Sequence, residues 1–217
     1  MITIVGIADT HMSHEDVKVP PGDILVVAGD FSGHGTLQDI AVFNTWLGTL
    51  PHEHKLVVAG NHDLAAEHNC LAVRSIFTNA TYLDEESATV RGIKFYGCPW
   101  TPEFFDWAFM YPRDGRMGQR IWQRVPEDTN VLITHGPPTG ASISRVKDSY
   151  SRPGRECGCG LLRVRILELP NLKASFHGHI HSGHGKELVG KTTCMNVSVM
   201  DERYEVVNPG TSFSYEE

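Results

Sequence analysis

At 217 residues, with 41% hydrophobic and 21% charged residues, the chain has the make-up of a soluble globular protein and not of a disordered, collagenous or coiled-coil one. About 150 residues per domain predicts a single domain over residues 1–217, large enough to fold without disulfides or metal. A net charge of −7 argues against a grip on long nucleic acids. Residues 113–155 nevertheless hold eight basic and four acidic side chains, which allows a local anion site.

Taken in chain order, the apolar runs share one habit: each stops at a polar cluster. Ile2–Ala8 ends at Asp9-Thr10-His11, and Ile24–Ala28 ends at Gly29-Asp30. Leu56–Ala59 ends at Gly60-Asn61-His62-Asp63, and Val131–Thr134 ends at His135-Gly136-Pro137-Pro138. Short, nearly continuous runs rich in Val and Ile predict strands buried on both faces. Between them, Thr36 and Asp39 read as a capping box ahead of Phe43, Trp46, Leu47 and Leu50 at helical spacing. Residues 64–77 and 159–169 are further predicted helices, the second stopped by Pro170. This alternation predicts an α/β fold with a mainly parallel sheet. Antiparallel strands are predicted at 185–189, 192–199 and 204–207, and long decorating loops at about 101–129 and 137–158.

No apolar run reaches the roughly 18 residues of a membrane span, and the chain opens without the features of a secretory signal. Five cysteines, an odd number, predict free thiols in a reducing cytoplasm, with Cys157 and Cys159 a free pair in a Gly-rich turn. Oligomeric state is not legible.

Each polar cluster alone reads as an ordinary turn or cap. Phe176-His177-Gly178-His179-Ile180-His181 is harder to dismiss. On a strand, alternate positions would put the three imidazoles on one face, and at least two would bind metal or anion. Taken together, Asp9, His11, Asp30, Asn61, His135, His179 and His181 are oxygen and nitrogen ligands at the carboxyl ends of predicted strands, where α/β sheets bind ligands. The set suits two ions of the Mn, Fe or Zn class better than Ca or Mg. Two divalent ions outweigh two aspartates and a hydroxide, which favours an anionic ester such as phosphate. Asp30 falls between the other clusters and is predicted to bridge the ions. His14, His34, His177 and His184 flank the motifs as outer positions. Six aromatic residues at 100–111, Trp107 among them, either stack a base or anchor the loop. Trp107 and Arg145 are the predicted substrate contacts. P-loop, H-E-x-x-H and G-x-S-x-G signatures are missing.

The ordered motifs D-x-H, G-D, G-N-H-D, H-G and G-H-x-H, from Asp9 to His181, resemble those of the calcineurin-like metallophosphoesterases. Tyr96–Pro102, Leu132–Pro138 and Asn196-Val197-Ser198 are similar to the metallophosphoesterase-domain subfamily. The resemblance implies a four-layer αββα sandwich. It implies one metal on Asp9, His11, Asp30 and His181, and a second on Asp30, Asn61, His135 and His179. It implies His62 as general acid, oriented by Asp63, with a metal-bridging hydroxide attacking phosphorus in line. Its substrates would be small phosphodiesters, 2′,3′- or 3′,5′-cyclic nucleotides above all. The alternatives are a phosphomonoesterase or nuclease of the same fold, or a non-catalytic metal-binding scaffold, against which the intact ligand set argues.

Overall fold

The computed structural model describes residues 1–113, 115–147 and 154–216. Strands β1 (Ile2–Ile7), β2 (Ile24–Ala28), β3 (His54–Val58) and the short β4 (Thr81–Tyr82) are parallel neighbours in that order. An antiparallel hairpin, β5 (Glu86–Val90) and β6 (Ile93–Cys98), opens a second sheet. A two-stranded ribbon follows, β7 (Thr101–Pro102) with β8 (Met110–Tyr111), before β9 (Val131–Thr134) returns parallel to β6. A second ribbon pairs β10 (Arg145–Val146) with β11 (Arg155–Glu156). Next, β12 (Ala174–His177) lies between β9 and β14 (Thr192–Asn196), and β13 (Gly185–Val189) closes that edge. Finally β15 (Thr211–Tyr215) goes back to the first sheet, antiparallel to β1.

Alternation along these strands produces four layers. Val5, Ile7, Leu25, Val27 and Val57 face outward and pack with α1 (Leu37–Thr49), α2 (Leu64–His68) and α3 (Cys70–Ile76) through Ile40, Phe43, Ala66 and Val73. Their neighbours Ile4, Ile24, Val26, Leu56 and Val58 face inward and meet Phe95, Ile133 and Phe176 of the second sheet. Tyr96, Leu132 and Cys194 on that sheet's far side pack against α4 (Arg116–Gln123) and α5 (Gly160–Glu168). Strands covered on both faces must be apolar at every position, and β2 is buried throughout. The fold is therefore the α/β sandwich that the resemblance implies.

Several elements differ from the sequence expectations. The 64–77 helix breaks at Asn69 into α2 and α3. No strand forms at 204–207, because the Asp201 carboxylate accepts from Arg203 N and Glu205 N and curls the chain into a turn. The strand follows later, as β15. The loop at 101–129 contains β7, β8 and α4, and residues 114 and 148–153 of the two loops lie outside the described residues. Among the described residues, no helix is long and apolar enough to cross a membrane.

Candidate metal centre

The two sheets meet at one end, where Ala8 bridges to Ser198 and Ala8 N donates to Val197 O. All seven ligand candidates converge there. Asp9 follows β1, Asp30 follows β2, Asn61 follows β3, His135 follows β9, and His179 and His181 follow β12. Sharp turns off the strand ends aim them inward. Asp9, His11, Asp30 and His179 all have positive φ, between 39° and 68°. This backbone region is sparsely populated by non-glycine residues and, when seen, clusters at functional sites.

Three groups of ligand atoms lie within 4.8 Å of one another: Asp9, His11 and His181; His11, Asp30 and His62; and Asp30, His135 and His179. Asp30 Oδ2 is 3.2 Å from His135 Nε2 and 3.8 Å from His11 Nε2, so it belongs to both sides. Asn61 Oδ1 sits 2.9 Å from His135 Nε2 and 2.8 Å from His179 Nδ1. His11 Nε2 and His181 Nε2 are 3.3 Å apart.

The donor chemistry fits metal. His135 Nδ1 donates to Ala28 O at 2.9 Å and His181 Nδ1 to Asp201 O at 2.9 Å, which fixes the tautomers and frees Nε2 for coordination. Both Asp9 oxygens accept from His179 N at 3.0 Å. Glycines leave the necessary room. A Cβ on Gly60 would collide with Asp30 Oδ1, and one on Gly178 would stand 2.7 Å from Asp9 Oδ2. Electrostatics agree. Burial disfavours charge on Asp30, but His135 opposite outweighs it and holds the carboxyl well below the usual range. Burial also opposes a proton on His135, yet Asp30 lifts that imidazole to about 9. His179 is pushed down to about 3 by burial and then by His135. Carboxylates and mostly neutral imidazoles are what a divalent ion needs, and the His135 proton is what it would displace.

His177 does not join this face. It is still inside β12, fully buried, with Nδ1 2.7 Å from Thr134 Oγ1. The strand ends there and Gly178 turns the chain, so His179 and His181 leave in a new direction. His184 Nδ1 is taken by Ser198 O, and His14 packs on Phe43 and Trp46. His34 is exposed.

His62 lies beside the centre, with its backbone N 2.8 Å from Asp30 Oδ1. Its Nδ1 faces Gly33 O at 3.4 Å. Asp63 does not orient it, which corrects the expectation. That carboxylate is occupied by Gly60 N, Asp30 N, Ser32 N and Ser32 Oγ, at 2.5–3.0 Å. Asp63 thus ties together the loops after β2 and β3.

A cleft of about 890 Å³ opens over Asp30, Asn61 and His62. Trp107 lines it. Arg145 is not among its lining residues; it pairs with Glu156 and Gly154 O, whereas Arg113 and Arg155 do face the cleft. Tyr204 was missed altogether. It meets the rings of His11 and His181 edge-on at 4.9 and 5.1 Å, from a φ of 61°. Its sequence context, Tyr-Glu-Val-Val, looks like a strand and gave no such signal. Cys157 also lines the cleft, while Cys159 is buried, accepts from Leu162 N to cap α5, and lies 2.9 Å from Tyr111 Oη.

Residues 2–183 match the family model described as calcineurin-like phosphoesterase, and the chain belongs to that family of phosphoric ester hydrolases. It is similar to Metallophosphoesterase domain-containing protein 1 of Homo sapiens, 35% identical over 94% of this chain and 68% of the relative. A UPF0046 protein of Caenorhabditis elegans is 34% identical over 91% of this chain and 69% of its own length. The same fold occurs in a crystal structure of a Thermus thermophilus protein, with a TM-score of 0.60, 14% identity and coverage of 90% and 88% of the two chains.

Proposed function

We propose that this protein is a two-metal phosphodiesterase for small, nucleotide-sized phosphodiesters, with 2′,3′- and 3′,5′-cyclic nucleotides as the foremost candidates. The observation that carries this reading is the position of Asp30 in two overlapping ligand clusters. Asp9, His11 and His181 would hold one ion, and Asn61, His135 and His179 the other, with Asp30 shared. The ions, of the Mn, Fe or Zn class, would supply Lewis-acid charge and a nucleophile drawn from water at neutral pH. The chain's own contribution is to place the phosphate and to manage the proton. Arg113 and Arg155 at the cleft wall, which also carries Glu103 and Glu202, would pair with an anionic substrate, and the cleft volume accommodates a mononucleotide. In its protonated form His62 would keep Nδ1–H toward Gly33 O, 3.4 Å away, and would present Nε2–H to the departing oxygen. The five free thiols support a reducing, cytoplasmic setting.

A substrate panel with metal analysis tests the reading. A ribose alkoxide needs the acid, and a nitrophenolate does not. His62→Ala should therefore lose roughly 10²–10⁴-fold on cyclic nucleotides while sparing much of the rate on bis-nitrophenyl phosphate, at unchanged metal content. Equal losses on both would remove His62 from the acid role. Wild-type activity confined to monoesters would overturn the phosphodiesterase assignment.

A further inference from the structure

We propose that Trp107 is the positioning residue of the His62 acid, an inference that rests on the reading of His62 given above and names what holds its ring. The indole and imidazole are stacked, with centroids 4.3 Å apart and planes at 25°. His11 meets the same imidazole at 4.6 Å and 80°. Directional bonding to the ring is weak by comparison: its contact to Gly33 O is 3.4 Å, and the Asp63 carboxylate is committed to four other donors. Rotation of His62 about its side-chain bonds is therefore limited chiefly by the two ring contacts.

Trp107 is itself held to the backbone that carries His62. Ala108 N donates to Asn61 O at 3.2 Å, one residue from each member of the stack. Ala108 and Phe109 are buried, Phe109 packs edge-on against Trp100 at 5.7 Å, and Thr101 N donates to Phe109 O. The loop after β7 thus reaches across from the second sheet and fastens to the turn after β3. Trp107, 37% exposed, belongs to none of the three hydrophobic cores. A large aromatic residue on an anchored loop, outside every core and flat against the acid, has the placement of a support and not of a loop anchor.

Substrate stacking would make a different prediction: loss of Trp107 would then matter only for substrates carrying a base. The test uses aryl methyl phosphodiesters, which carry none, across a range of leaving-group acidity. Metal-loaded wild type, His62→Ala, Trp107→Ala, Trp107→Leu and Trp107→Phe are compared. Trp107→Ala and Trp107→Leu should steepen the dependence of kcat/KM on leaving-group pKa, as His62→Ala does. The loss should reach roughly 10-fold to 100-fold on the poorest leaving group, the scale of misplacing a catalytic group by about 1 Å. Trp107→Phe should recover most of it, and Trp107→Ala should add nothing in a His62→Ala background. In the metal-free protein, the His62 ring protons should show an upfield ring-current shift that Trp107→Leu abolishes. An unchanged slope in Trp107→Leu beside a steepened slope in His62→Ala would overturn the proposal alone. Unchanged slopes in both would overturn the acid reading beneath it.

Discussion

The Asp30 carboxylate stands between imidazoles of different clusters, 3.2 Å from His135 Nε2 and 3.8 Å from His11 Nε2, while its other oxygen accepts from His62 N. Asp30→Asn keeps the shape and removes the charge. The variant should retain the fold but lose most bound metal and nearly all activity, as measured by elemental analysis beside a thermal melt. Two equivalents of metal with normal turnover would contradict a shared ligand. At this scale the sequence was informative where a residue ends a Val/Ile run, because the strand fixes where the next side chain must lie. Asp9, Asp30, Asn61 and His135 are all of that kind. Direction was not legible. Asp63 follows His62 in the chain, yet its carboxylate turns back to the backbone, and Arg145 rather than Arg155 on the neighbouring strand was expected at the cleft.

Between elements, Asp63 does for the loops what the ladders do for the strands. Its four donors come from the turns after β2 and β3, so it holds Asp30 and Asn61 in register. In Asp63→Asn an amide would face backbone N–H groups and leave at least one buried donor unpaired. A loss of about 1–3 kcal/mol of stability is expected, with weaker metal binding. Denaturant titration and metal competition would measure these, and the leaving-group dependence should stay that of the wild type. A steepened dependence would return Asp63 to the role of orienting His62. The elements themselves were read well where the period was clean. The Thr36 capping box is present, with Asp39 N donating to Thr36 Oγ1 at 3.1 Å. The expected strand at 204–207 failed because Asp201 offers two backbone donors a competing turn. The three histidines of 177–181 failed as a single face because the strand stops at His177, and periodicity does not report where a strand stops.

For the whole molecule, buried neutral histidines predict how folding responds to acid. Burial lowers the pKa of His14, His52 and His184 below the ordinary 6.5. The unfolded chain takes up these protons as pH falls through about 6.5, and the folded chain does not. Stability is therefore full above that pH and declines below it. His135, raised to about 9, is already protonated in the folded chain over this window, and the unfolded chain catches up as pH falls through about 6.5, so its stabilising contribution is nearly complete there and opposes the trend only at the upper end. The metal-free protein should show a falling denaturation midpoint from pH 6.5 to 5, and His14→Phe should flatten it. A midpoint that rises over that range would contradict the assignment.

We propose that one end of the sandwich holds two ions on a common aspartate. Anomalous diffraction from crystals of the manganese- or zinc-loaded protein addresses it directly. Two peaks about 3.5–4 Å apart are expected, with Asp30 between them, Asp9, His11 and His181 around one, and Asn61, His135 and His179 around the other. A single fully occupied peak, or ions bound away from Asp30, would contradict it.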